Sequence, residues 1–274
     1  MGNACCSDGG HIADKELKNY TSKPKNHDIT NDNLLLAYTS GDQKKIVKIQ
    51  SNFRGHATRK RIEDDGSIIQ TKMKDFQDGN LINVHNFRIE ETSEDTAIYS
   101  GQILKDSQNI KQGYGIMRWP DGTVYEGLWE NNLYNGRGKL YHASGDLYEG
   151  EFVDDMAQGF GIYKHANGSK YVGYWNQDKQ HGFGKEKWND SSMYQGFYQN
   201  ASKEGQGEYL WPDGNRYIGE WSQNMLNGKG LFIWHDERLF LGDWKDNMMH
   251  GHGIYKWGDG RIFQGEYVDD RKQG

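Results

Sequence analysis

An all-β array of stacked antiparallel hairpins is the fold that this sequence predicts, on three observations. First, a motif of the form Y-x-G-x-W opens at Tyr125 and returns at Tyr148, Tyr171, Tyr194, Tyr217, Phe240 and Phe263, each opening 23 residues after the last. Second, every complete copy carries a G-x-G pair, such as Gly136 and Gly138, followed by a small polar turn such as Ser144-Gly145. Third, the 274-residue chain holds 36 glycines and 3 prolines, with a hydrophobic fraction of only 34% but 13% aromatics, so its core must be built from rings. A fixed period of this size marks units that bury their apolar face only by stacking on their neighbours.

Composition divides the chain into residues 1–40, a polar tail expected to be flexible, residues 41–98, a helix and a connecting segment, and residues 99–274, the array. The tail opens MGNACCSDGG, which places Gly2 at the N-terminus once Met1 is removed. This resembles an acylation signal, except that Cys6 stands where Ser or Thr is usual and Ser7 comes one place later. The resemblance implies myristate on Gly2 and palmitate on Cys5 and Cys6, and two acyl chains anchor where one does not. Cys5 and Cys6 are the only cysteines, so the array has no disulfide framework and a cytosolic compartment is expected. No run of 18 apolar residues occurs.

Residues 42–63 read DQKKIVKIQSNFRGHATRKRIE. Ser40 with Gln43 has the spacing of a capping box, and Ile46, Ile49, Phe53 and Ala57 recur at three- and four-residue steps, so the pattern predicts an amphipathic helix. Seven positive charges lie between Asp42 and Glu63 with no acid among them. Such a helix suits a membrane surface or an acidic partner that grasps helices. Ile49, Gln50, Arg54, Gly55 and Arg59 match the IQ motif, I-Q-x-x-x-R-G-x-x-x-R, at every fixed position. The segment therefore resembles a site for calmodulin or a calmodulin-like protein such as centrin. The resemblance implies that Gln50 bonds main chain of one lobe, Ile49 and Phe53 fill its apolar groove, Arg54 and Arg59 meet acidic side chains, and Gly55 leaves space for close approach. Either calcium sense is compatible with it.

In the array, alternation along a strand puts Tyr125, Gly127 and Trp129 on one face and Glu126 and Leu128 on the other. A glycine between two rings leaves room for a ring from the neighbouring strand to lie across the backbone. Asp121-Gly122, Ser144-Gly145, Asn167-Gly168, Asp213-Gly214 and Asp259-Gly260 are turn pairs, whereas Asp190-Ser191 and Asp236-Glu237 lack the glycine and are expected to differ locally. An eroded copy begins at Tyr99, with three extra residues between Gly101 and Gly113. Stacked in register, Trp129, Phe152, Trp175, Tyr198, Trp221, Trp244 and Tyr267 form one row. At ~4.8 Å between strands, seven repeats make an elongated rod of roughly 65–70 Å. The order Y-x-G-x-W/F…G-x-G at this period resembles the MORN-repeat family (membrane occupation and recognition nexus) over residues 99–274. The resemblance implies a β-hairpin rod used for protein–protein contact, often self-association. The last copy stops at Gly274, so two readings stand: an uncapped edge strand that favours a homodimer, or a chain that continues.

Residues 99–274 carry 19 Lys/Arg against 24 Asp/Glu, or −5, which disfavours nucleic acid and anionic headgroups as partners of the array. The G-x-G pairs precede no helix and so are hairpin glycines rather than phosphate cradles. His250-Gly251-His252 has no third ligand around it, so neither metal nor cofactor is expected. No catalytic signature appears. The expected function is a non-enzymatic, membrane-anchored scaffold that binds calmodulin or centrin, placed by resemblance at the cell cortex or cilium. The alternatives are a regulatory piece of a larger enzyme, such as a phosphatidylinositol phosphate kinase carrying this array, and direct phospholipid binding.

Overall fold

The computed structural model describes residues 80–90, 96–107 and 109–273. The residues expected to be acylated, Gly2, Cys5 and Cys6, and those of the expected IQ helix, Ile49, Gln50, Phe53, Arg54, Gly55 and Arg59, lie outside the described residues. The described residues form one open antiparallel sheet of 17 strands. They are β1 (Leu81–Glu90), β2 (Thr96–Leu104), β3 (Lys111–Arg118), β4 (Val124–Glu130), β5 (Leu133–Tyr141), β6 (Leu147–Val153), β7 (Met156–Lys164), β8 (Lys170–Asn176) and β9 (Lys179–Lys187). There follow β10 (Met193–Gln199), β11 (Ser202–Leu210), β12 (Arg216–Ser222), β13 (Met225–Ile233), β14 (Leu239–Lys245), β15 (Met248–Lys256), β16 (Ile262–Val268) and β17 (Arg271–Gln273). Strands adjacent in sequence pair with each other, as β4 with β5 and β5 with β6, so the sheet is a meander. It begins before residue 99, because β1 pairs with β2 through Leu81↔Leu104 and Glu90↔Thr96.

The predicted face is the buried one. Tyr125, Gly127 and Trp129 are buried, whereas Glu126 and Leu128 on the opposite face are half-buried. The occupant of the space above the glycines differs from expectation. It is the strand's own tyrosine, not a ring from the neighbouring strand, that lies across Gly127 and its cross-strand partner Gly138. An ideal Cβ on Gly138 would sit 2.5 Å from Tyr125 Oη and 2.6 Å from its Cε2, so only glycine leaves this space. The ring leans along the strand, which is a direction strand side chains favour. Its hydroxyl then donates to the carbonyl of Leu128 at 2.8 Å, where the β4–β5 register slips at a bulge. Tyr148, Tyr171, Tyr194 and Tyr217 repeat this bond to the carbonyl three residues on, at 2.9–3.0 Å.

Two kinds of turn alternate. One is a two-residue turn with both central residues at positive φ, such as Asn131 (50°) and Asn132 (74°) or Asp154 (49°) and Asp155 (65°). This is the type I′ pattern whose twist suits a hairpin. It uses Asn and Asp, with Gln or Ala in some copies, rather than glycine, and the sequence reading did not single it out. The other kind holds the predicted Asp-Gly pairs: Gly122 N–H donates to Trp119 O at 3.1 Å, and Trp119 N–H to Thr123 O at 2.9 Å. Here the expectation of local difference fails for Ser191 and Glu237. Ser191 has φ 76° and Glu237 φ 71°, with the same closing bonds to Trp188 O and Trp234 O, each 3.1 Å. The pairing on both sides dictates the turn, and a non-glycine residue is held in it. The three extra residues of the first copy fall between β2 and β3, a longer connection than the two-residue turns elsewhere.

Candidate interaction face

The ring-bearing face of the sheet is the site to which the repeat brings most chemistry. Two rows of rings interlock along it. Tyr125 meets Trp129 of its own repeat at 5.1 Å and 88°, and Phe152 of the next repeat at 5.4 Å and 85°. The same edge-to-face pair recurs from Tyr194 to Tyr198 (5.1 Å) and to Trp221 (5.4 Å). Edge-to-face contact between rings contributes about 0.5–1.5 kcal/mol beyond burial. Each repeat is thereby tied to the next, and the predicted row is the core of the array. A third row, Trp188, Tyr209, Trp211, Phe232, Trp234, Tyr255 and Trp257, runs beside it with ring centres 4.5–5.5 Å apart. Its tryptophans are only partly buried.

Polar side chains interrupt this face at Glu186 and Lys203. Register puts Glu186 opposite Tyr171 and Tyr194, where Leu140, Tyr163, Tyr209, Phe232 and Tyr255 stand in other repeats. Glu186 is buried, and the Tyr198 hydroxyl donates to its Oε2 at 2.8 Å. Burial pushes the carboxyl upward, opposed by the Tyr198 bond and by Lys203, His165 and Gln180. Burial together with the Glu186 charge pushes the Tyr198 phenol well up as well.

Lys203, opposite Tyr198, runs back along the same face, with Nζ 5.2 Å from the ring centre of Trp188, 5.3 Å from Tyr194, 5.7 Å from Tyr209 and 6.0 Å from Trp221. Lys272 lies 3.9 Å from the Trp257 ring centre and 5.0 Å from that of Phe263, and Lys111 lies 5.0 Å from that of Trp129. An ammonium over ring faces is attracted by their quadrupoles. The sequence reading missed Glu186 and Lys203, although comparing repeats would have found them. A carboxylate replaces a large apolar residue, and a lysine sits where Leu226 and Met249 sit in the next two repeats.

His250 and His252 face different carboxylates, Asp269 at 3.4 Å and Glu266 at 3.4 Å. Among the described residues no group of three or more His, Cys, Asp or Glu side chains is placed to hold a metal. Among them, too, no helix is long and apolar enough to cross a membrane.

The family model for the MORN repeat matches seven consecutive segments, residues 107–124, 125–147, 148–170, 171–193, 194–216, 217–237 and 240–260, more than half of the chain. The chain belongs to the MORN-repeat family. The matched segments from 125 onward begin at the opening tyrosines or at Phe240, so the period read from the sequence is the family's own. The MORN array makes this protein a repeat scaffold of the protein- or membrane-interaction kind. No curated protein matches it. Among solved structures it is similar to the TCP domain of SAS-4 (dCPAP) from Drosophila melanogaster, solved in complex with a proline-rich motif of Ana2 (dSTIL), at 14% identity over 57% of this chain and 85% of that one, with a TM-score of 0.36. It is also similar to the TCP10 domain of Danio rerio CPAP (12% identity, 59% and 86% covered, TM-score 0.21) and to virginiamycin B lyase from Staphylococcus aureus (11%, 70% and 76%, TM-score 0.16). At these scores the likenesses carry no functional argument.

Proposed function

We propose that this MORN-repeat protein is a non-catalytic scaffold, anchored to the cytoplasmic face of a membrane by acyl chains on Gly2, Cys5 and Cys6, that recruits calmodulin or a centrin-like protein through residues 42–63. The observation that carries the reading is the match of Ile49, Gln50, Arg54, Gly55 and Arg59 to the IQ pattern at every fixed position, within a stretch of seven uncompensated positive charges. Calmodulin-like lobes are acidic with an apolar groove, and a basic amphipathic helix complements both properties. Other proteins dock on the array itself, whose ring face offers apolar and cation-binding surface. On the resemblance, its location is the plasma membrane, the cell cortex or the cilium. A lipid-headgroup role for the array ranks lower, because residues 99–274 carry a net −5.

Calorimetric titration of calmodulin and of centrin into the full-length protein, with and without calcium, tests the partner. Ile49→Ala with Arg54→Ala removes one apolar anchor and one charge, and is expected to weaken binding by at least about thirtyfold, since truncated anchors each cost about 1–2 kcal/mol or more. Equal titrations for the wild type and the double variant refute the assignment.

A further inference from the structure

Each repeat places one side chain of its second strand opposite the row of Trp129, Phe152 and their counterparts, and in most repeats that side chain is large. Tyr134 stacks on Tyr125 with ring centres 3.7 Å apart and 12° between planes, and Lys203 reaches over Tyr194. Opposite Phe152 the residue is Ala157, whose single methyl cannot extend over Tyr148. The rings are nevertheless kept. Tyr148, Tyr163 and Trp175 stand where Tyr194, Tyr209 and Trp221 surround the Lys203 ammonium, and His142 takes the place of Trp188. Tyr148 meets Trp175 at 5.4 Å, and Tyr163 meets Trp175 at 6.1 Å and 39°, matching the 6.1 Å and 41° of Tyr209 with Trp221.

The missing side chain leaves a trace in exposure. Trp129, Phe152, Tyr198, Trp221, Trp244 and Tyr267 are each 5% exposed or less, whereas Trp175 of the same row is only partly buried. Ala157 lies at the floor of this step, 6% exposed. Among the described residues no lysine or arginine is found over Tyr148, Tyr163 or Trp175. An acid stands at the rim: Tyr163 Oη donates to Asp146 Oδ2 at 2.9 Å, and His165 Nδ1 lies 3.7 Å from the same carboxylate oxygen.

We propose that the step above Ala157, walled by Tyr148, Tyr163 and Trp175 and rimmed by Asp146, receives a lysine or arginine side chain from a basic segment of a partner protein. The chain itself provides the precedent, because the same ring set two repeats later is filled by its own Lys203. Ring faces attract a cation most strongly when it leaves water. The Asp146 carboxylate and the net −5 of residues 99–274 draw basic rather than acidic segments to the face. The proposal rests on reading the array as a protein-interaction surface and names the chemistry of the side chain it takes.

The test titrates a hexalysine peptide, and its fully acetylated counterpart, into full-length protein. Calorimetry gives affinity and stoichiometry, and the tryptophan indole N–H resonances locate the site. The charged peptide is expected to bind and to move the Trp175 resonance, leaving those of Trp221 and Trp244 in place. Ala157→Lys puts the chain's own ammonium into the step and is expected to weaken binding at least about tenfold with the melting temperature kept. Lys203→Ala is expected to open a second site and raise the stoichiometry. Failure of the charged peptide to bind overturns the proposal. Binding that is equal in the wild type and Ala157→Lys, or that moves all the tryptophan resonances alike, overturns it in favour of diffuse attraction to an acidic surface. Calmodulin binding reads residues 42–63 instead, so either result leaves that titration free to stand or fail independently.

Discussion

Glu186 shows what one residue can do against the pattern of its repeat. An ionised carboxylate in a row of rings loses hydration, and the hydrogen bond from Tyr198 and the charge of Lys203 return only part of it. Its folded pKa lies above the ordinary value, with burial as the largest cause. The folded state therefore holds the proton where the unfolded chain has lost it. The contribution to stability is fully present below the ordinary glutamate value of about 4.3 and falls as pH rises through the folded value. Glu186→Gln keeps an acceptor for Tyr198 and removes the titration. Relative to wild type, this variant is expected to gain stability as pH rises above the ordinary glutamate value and to level off once pH passes the folded value, by about 1.4 kcal/mol for each pH unit separating the two. Parallel thermal melts across that range check it, and a difference independent of pH refutes the buried-carboxylate account.

At the scale of the element, the turns separate backbone strain from side-chain contact. Gly168 sits at φ 92° with nothing within 4 Å of where a Cβ would be, so Gly168→Ala adds strain and no clash. A cost of about 1 kcal/mol is expected. Glu237 occupies the corresponding position of another turn at φ 71° with its side chain exposed. Glu237→Gly relieves that strain at the expense of a more flexible unfolded chain, for a net gain of about 0.5–1 kcal/mol. Denaturant midpoints of the two variants should move in opposite directions. A loss in Glu237→Gly would mean that its side chain stabilises the hairpin through a contact outweighing the backbone term.

At the scale of the molecule, the acidic charge and the proposed anchor are divided between the two ends. The array is net acidic, while the basic stretch and the residues proposed to be acylated lie in the first 63 residues. Beyond a Debye length of about 8 Å at physiological salt the acidic array neither helps nor hinders membrane contact. On the proposed anchoring, acyl chains supply most of the affinity, and a single myristoyl chain holds only reversibly. Gly2→Ala is expected to shift the protein from the membrane pellet to the soluble fraction of expressing cells, and Cys5→Ser with Cys6→Ser to do so partially. A glycine variant that stays in the pellet would make the basic stretch the anchor instead.

The sequence by itself determined the period, the strand face and the class of core. Those properties follow from chemistry repeated every 23 residues, and a repeat averages away the accidents of any single copy. It also placed the glycines correctly while misassigning the ring above them. Whether a tyrosine leans along its own strand or across to the next depends on side-chain direction and on the bulge beside Leu128, neither of which residue spacing encodes. The turns at Ser191 and Glu237 were likewise beyond it, because the pairing of the flanking strands overrides the local preference of a non-glycine residue. The side-chain cluster of Glu186, Tyr198 and Lys203 and the step at Ala157 were legible as departures from the repeat, yet had no meaning until register set them on one face. Only the tertiary structure decided which departures meet, because strand pairing brings together residues from different copies that sequence distance keeps apart.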